Sequence, residues 1–311
     1  MNTPDTPARD LAGTVRPAPD PLADEAAALL QGALADAWAE SMPPGTLPER
    51  LRDRLARRAG ASARASRAMV NVRARDRQVL PAGPGVRVEQ VYAGAPGQAP
   101  RAGEPSRVLL ADLAPGAAWL LPEGAAGSGR DWLLVRGDAS LETEARPVVR
   151  LRALDHLAQA MPDSRAAVCL TAGAQGATVL LRERQLACDD AATQASRDEP
   201  GAWEDYAPLV KRRVLWRQGG QAAMLWLAEP GATVPQHRHG HDEECLMLRG
   251  DLFQDDYLLR EGDYQLAPQG SMHRTVSTDT GALIYAHGDL DMQVLGDDDG
   301  LAAAGAPLKG R

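Results

Sequence analysis

The period of the apolar positions changes once along the chain. From Leu22 to Glu40, Leu22, Ala26, Leu29, Leu30, Ala33, Leu34, Ala37 and Trp38 recur at helical spacing, which predicts a helix with one broad apolar face. Met42-Pro43-Pro44-Gly45 stops it. Thr46 and Glu49 then form a capping box for a second helix, striped by Leu47, Leu51, Leu55 and Ala59. From Met69 the text turns to short apolar runs broken by Gly and Pro, such as VRVEQVY, RVLLADL, DWLLVRG and AAVCLTA, which predict strands. The expected divisions are a disordered 1–20, a helical 21–68, strands over 69–185, a polar linker at 186–204, strands again over 205–294, and a flexible tail at 295–311.

Composition narrows the partners. At 311 residues the chain is long enough for two domains of ordinary size, and its net charge of −8 disfavours nucleic acid. The second helix carries Arg50, Arg52, Arg54, Arg57 and Arg58, which read either as a docking surface for an acidic partner or as a solvated basic face. Three cysteines, Cys169, Cys188 and Cys245, are widely spaced with no CxxC pair, which suits a reducing compartment. Neither an apolar leader nor an eighteen-residue apolar stretch is present, so a cytoplasmic protein with no membrane span is expected.

Chemistry concentrates between Gly231 and His273, which hold four of the six histidines. The first block runs Gly231, five residues, His237-Arg238-His239, three residues, Glu243, six residues, Gly250. The second runs Gly262, five residues, Pro268, Gln269, Gly270, two residues, His273. Strand alternation points His237 and His239 the same way, and Gly240 lets the chain bend so that Glu243 returns to the same centre. Gly270 permits a reversal that presents His273 from another strand. The spacing therefore reads as a mononuclear metal site on a β-barrel, with His237, His239, Glu243 and His273 as ligands; such a set suits zinc, iron, manganese, nickel or copper.

The two blocks resemble the paired cupin motifs, G-x5-H-x-H-x3-E-x6-G and G-x5-P-x-G-x2-H. One position departs: Ser277 stands where cupins often carry Asn. Lys211–Gly288, with KRRVLWRQGG, LAEPGATVPQHRHGHDEECLMLRG and EGDYQLAPQGSMHRTVS, is similar to the cupin domain of ChrR-type anti-sigma factors. The resemblance implies one divalent metal held by the same four residues, zinc first, with iron, manganese or nickel as alternatives. It also implies transcription regulation through a sigma factor contacting residues 22–60, and pairing through sheet edges into a homodimer. That family's N-terminal zinc motif has no counterpart here, because no Cys precedes Cys169 and no His precedes His156. A sigma-binding module in this chain does not fold on zinc.

The strand-rich region repeats itself. LADLAPGAAWLLPEGAAGSGRDWLLVRGD (110–138) and LWLAEPGATVPQHRHGHDEECLMLRGD (225–251) both run strand, Pro-Gly, loop, strand, Arg-Gly-Asp. Asp155 and Arg165 share the separation of Asp263 and His273. The expected fold is therefore mainly β: two tandem cupin double-stranded β-helix (jelly-roll) barrels after a short helical region. Arg130 falls where Glu243 stands and Arg165 where His273 stands, so the first barrel is expected to be metal-free. Its two arginines read as a clamp for an anion or as remnants of a decayed site.

Around the second site, His241 reads as an alternate ligand, a proton carrier or a plain loop histidine. Glu244 is sent to the opposite face from Glu243. Cys245 and Met247 share Glu243's face, with Cys245 a buried thiol, a further ligand or a redox sensor. His287 ends a strand as a rim residue; His156 and Cys188 have no evident partner. Two functions follow. One is a regulatory or sensory protein whose second barrel binds a small molecule or reacts to oxidant at the metal. The other is a metal-dependent dioxygenase or related oxidoreductase acting on a small enolisable or aromatic substrate, with Glu243 able to act as base.

Overall fold

The computed structural model describes residues 69–94, 105–121, 128–143, 146–161, 167–185, 194–199 and 201–295. The two expected helices, the N-terminal 20 residues and positions 296–311 of the tail lie outside them. Within the described residues the chain is mainly β, and no helix there is long and apolar enough to cross a membrane.

Two large antiparallel sheets account for most of the described residues. One orders its strands Gln194–Ser196, His156–Met161, Ser128–Thr143, Val168–Gln185, Pro105–Leu113, Val86–Ala93, Gln78–Leu80. The other orders Val70–Val72, Tyr264–Ala267, Glu243–Gln254, Ala282–Asp289, Gln221–Ala228, Val210–Gln218, Glu204–Ala207. The short strand that precedes each set thus sits on the other set's sheet. Val70–Val72 pairs with Tyr264–Ala267, and Gln194–Ser196, inside the stretch read as linker, pairs with His156–Met161. The residues that follow anchor this exchange. Asp263 accepts from Arg73 and from the Ala74 backbone N–H, and Asp155 accepts from Arg197 and from the Asp198 N–H.

The two sets correspond hydrogen bond by hydrogen bond. Gly137 and Gly250 take φ of 79° and 80°, and a Cβ on either would meet a carbonyl oxygen, of Gly176 or Gly281, at 2.0 Å. The long strand carries a bulge just before each of them, between Leu134 and Arg136 and between Met247 and Arg249. Leu154 N–H donates to the Leu134 carbonyl as Gly262 N–H donates to that of Met247. Counted from these landmarks, Arg130 stands at the position of Glu243, Trp132 at that of Cys245, and Asp131 at that of Glu244.

Each sheet folds round an apolar interior, one containing Trp119, Trp132, Leu141 and Leu181, the other Met224, Cys245, Met247 and Ile284. A third cluster joins the outer faces: Val91, Val108, Leu133 and Leu180 from one set meet Trp216, Leu246, Tyr264 and Tyr285 from the other. This is why DWLLVRG shows no polar alternation. Trp132 and Leu134 face the interior, Leu133 faces the neighbouring set, and both sides are buried.

Charges are sealed into that junction. Arg182 donates to Glu244 at 2.6 Å and to Asp131 at 3.3 Å, and Arg184 donates to Asp131 at 3.1 Å. All four side chains are almost fully buried. His156 lies here too, with neither ring nitrogen hydrogen-bonded. Burial, reinforced by Arg213, Arg184 and Arg182 against the opposing pull of Asp131, pushes its pKa down to about 4.

The consequence is a pH slope. Between pH 6.5 and 4 the unfolded chain binds a proton that folded His156 refuses, so stability falls as pH drops through that window, by at most ~3 kcal/mol. His287, also depressed, acts in the same direction; Glu244, raised by burial, acts in the opposite one. Urea midpoints at pH 7 and pH 5 should therefore differ less in a His156→Leu variant than in the wild type. Equal slopes in the two proteins would refute the assignment.

Candidate metal centre

Local pairing brings the histidines together. His237–Arg238 runs antiparallel to Met272–His273 with His237 directly opposite His273. The turn between Pro268 and Ser271 is pinned to the same segment: Gly270 N–H donates to the His239 carbonyl and His239 N–H to that of Ser271. Gly270 takes φ of 82°, which is why this turn needs a glycine. Gly240 takes no left-handed φ, and its close neighbours are side-chain ends. A Cβ there would meet the side chains of Gln293 at 2.6 Å and Asp289 at 3.0 Å.

The three rings form a triangle, with centroids 5.3 Å apart for His237–His239, 5.5 Å for His237–His273 and 5.0 Å for His239–His273. Glu243 opens the long strand beside them, its Oε2 3.9 Å from His239 Nε2. Donor atoms of His237, His239 and Glu243 all lie within 4.8 Å of one another.

The outer hydrogen bonds select one tautomer. His237 Nδ1 is 2.9 Å from the Pro235 carbonyl, which can only accept, so this nitrogen carries the proton. Ser271 Oγ spends its hydrogen on the Pro268 carbonyl and therefore accepts from His239 Nδ1 at 2.9 Å. In both rings Nε2 is left with a lone pair. The Nε2 atoms of His239 and His273 are buried with no hydrogen-bond partner. Burial depresses His237; burial and then the neighbouring His273 push His239 to about 4, so both stay neutral at ordinary pH. Burial raises the Glu243 carboxyl, the mark of an acid that lacks a cationic partner. Neutral imidazoles with inward lone pairs and one carboxylate fit a divalent metal ion, for which orphaned buried nitrogens are the vacant donors.

One contributor carries no motif signal. Asp255 takes a left-handed φ of 58° in the turn after the long strand. Its Oδ1 accepts from the N–H groups of Arg274 and Thr275, which holds Oδ2 3.7 Å from His273 Nδ1. A fixed carboxylate behind a ligating imidazole sets its orientation and basicity. Asp255→Asn keeps a residue that tolerates left-handed φ while removing the charge. It should weaken metal binding by about 10- to 100-fold in a chelator-competition titration; unchanged affinity would remove Asp255 from the site.

Other expectations fare differently. His241 is held by Asp289, Nδ1 to Oδ1 2.5 Å, and is not part of the triangle. Glu244 faces away, as alternation requires, and accepts from Arg182 and from Tyr264 Oη at 3.1 Å. Cys245 lines the interior, and burial pushes its thiol far above the ordinary range, so it stays protonated. His287 is not a rim residue. Its strand turns it into the junction, stacked on Trp216 with centroids 5.6 Å apart. Arg130 is buried and donates to Glu183 at 3.1 Å, an internal partner that replaces the anion of a clamp. Arg165 and Cys188 lie outside the described residues.

A cavity adjoins the imidazoles. It measures about 60 Å³ and is partly open to solvent. His237, Glu243 and His273 form one wall, and Trp226, Val234, Cys245 and Ala286 stand among the others.

Comparison with known proteins agrees with this geometry. The ChrR cupin-like domain family matches residues 193–291. No curated protein matches the sequence. Among solved structures, GK1651 from Geobacillus kaustophilus is similar at 12% identity over 71% of this chain and 94% of that one, with a TM-score of 0.55. A putative glyoxylate-induced protein from Pseudomonas aeruginosa gives 14% identity over 71% and 89%, with a TM-score of 0.56. An oxalate decarboxylase variant from Bacillus subtilis gives 13% over 70% and 76%, with a TM-score of 0.51. At such identities the structural likeness speaks for the fold, while the family match speaks for the sequence of the second set of strands: residues 193–291 match the ChrR cupin-like domain family.

Proposed function

We propose that this protein is a metal-dependent regulatory cupin in which His237, His239, Glu243 and His273 hold one divalent ion, zinc in the first instance, at the wall of a small-molecule pocket. The observation that carries the reading is that His237, Glu243 and His273 line one wall of the cavity, beside the buried, unpartnered Nε2 of His239. A closed structural site would have no such opening; an ion that faces a cavity keeps a position for an exogenous ligand. When bound, the ion supplies Lewis acidity to an oxygen of that ligand. The protein's part is to fix three imidazoles, exclude bulk water with apolar walls and keep Glu243 within reach of the bound molecule. We also read the chain as an internal duplication, supported by the matching glycines, bulges and turns, with the first repeat metal-free. In the regulatory reading residues 22–60 contact a sigma factor and respond to what the second barrel binds.

A second reading, an oxidoreductase acting on a small enolisable or aromatic substrate, draws on the same opening. Elemental analysis of the purified protein, together with dioxygen uptake, separates the two. Stoichiometric zinc without dioxygen consumption, and a sigma factor retained on purification from the native cell, support regulation. Iron, manganese or nickel with dioxygen uptake supports catalysis. Protein with no bound metal after supply of each ion would refute both.

A further inference from the structure

The two interiors differ in a directed way. Trp132 and Leu181 are cross-strand neighbours in the first set of strands, and the corresponding pair in the second is Cys245 and Ala286. Trp119 sits at the position of Val234, Leu113 at that of Ala228 and Leu141 at that of Gln254. In the first interior Trp119 and Trp132 pack edge to face, 6.4 Å between centroids, and fill the space. In the second, every one of the corresponding positions is smaller or polar, and all of them line the cavity. Trp226, Leu252 and Ile284 stand where the first set has Ala111, Ala139 and Val179; they go the other way and narrow the cavity.

Gln254 is the second observation. It lines the same cavity, is 5% exposed, and its Oε1 is buried with no hydrogen-bond partner. An amide at a position where the sister interior packs a leucine costs free energy unless something bonds to it.

We propose that this cavity receives a small molecule of one chemical type. It has an oxygen donor for the metal, a short uncharged apolar body seated against Ala286, Cys245 and Ala228, and an O–H or N–H that donates to Gln254 Oε1. The inference rests on the metal reading above and adds to it the class of ligand and the residues that select it. Dicarboxylates and sugars are excluded, because their second charge or their many hydroxyls find apolar walls. Gln254 is a specificity residue that touches the ligand, and Ala286 and Ala228 set the length that fits.

Straight-chain alkyl hydroxamates test this, since they offer metal-binding oxygens, an N–H and a tail of adjustable length. Titrated calorimetrically into the metal-loaded protein, each added methylene should tighten binding by about fourfold until the cavity is full. Ala286→Leu and Ala228→Leu restore the residues of the filled interior. Either variant should keep its metal and its affinity for acetohydroxamate while losing the gain from longer tails. Gln254→Leu should weaken hydroxamates by about tenfold and leave carboxylates of equal length, which lack the N–H, unchanged. Protein that holds no metal before titration overturns the metal reading and this inference with it. Metal-loaded protein that binds all tail lengths equally, or prefers oxalate, overturns this inference alone. So does an Ala286→Leu or Ala228→Leu variant that keeps the chain-length gain.

Discussion

Replacing His237 with alanine should strip the metal from the protein. His237 is central to the arrangement: its ring faces His273 across a strand pair, and its donor atom lies within 4.8 Å of those of His239 and Glu243. Its Nδ1 is engaged by the Pro235 carbonyl, which leaves Nε2 as its ligating atom. The expected loss of affinity exceeds 100-fold, beyond that of an outer-sphere change. Two readouts check it. Metal content after dialysis should fall from one equivalent to near zero. A chelator should lower the melting temperature of the wild type but not of the variant; with free metal at about 100 times Kd, the lost stabilisation is about 2.7 kcal/mol. His241→Ala is the control. Its ring bonds to Asp289 instead of the cluster, so metal content should remain at wild-type level. Full occupancy in the His237 variant would mean that the ligand set is wrong.

The second large effect lies away from the metal. Arg182→Leu should destabilise the fold by roughly 3–5 kcal/mol, because it leaves Glu244 buried without its cation and takes one of two from Asp131. Asp131 keeps Arg184, whereas Glu244 keeps only the Tyr264 hydroxyl, so most of the cost falls on Glu244. Adding Glu244→Gln to Arg182→Leu should therefore recover a large part of the loss, giving a coupling energy well above that of an exposed pair. Urea denaturation of the two single variants and the double variant measures it. A loss below about 1 kcal/mol for Arg182→Leu would show that the junction tolerates the bare carboxylates.

The contrast between Glu243 and Glu244 shows what the text of the chain reveals. Alternation along one strand separates the metal side from the junction side, and that was readable because the period of a strand is fixed. Turns that demand glycine or aspartate leave the same letters at corresponding places in the two sets of strands, Gly137 and Gly250, Asp155 and Asp263, although the spacing between them differs. What lies on the far side of a strand was not readable. His287 looked like a rim residue because nothing local says that a second sheet covers it. Asp255 was invisible because its role depends on a left-handed turn that no motif marks. Val70–Val72 and Gln194–Ser196 have three residues each, too few to show a period, and their partners lie far along the chain. The predicted helices fall on residues outside those described.

Those two short strands have a consequence for anyone who would dissect the molecule. Asn71 bonds to Gln265 across 194 positions of sequence, so the halves are buttoned into each other and cannot be cut apart as free-standing pieces. A fragment beginning near residue 193 would keep the hook formed by Gln194–Ser196 but lose the one that belongs over Tyr264–Ala267. Its hook is parted from His156–Met161 and its Tyr264–Ala267 edge is bared, which leaves two strand edges open to pairing. Such a fragment would clasp a second copy of itself, and a single chain would give way to a swapped pair.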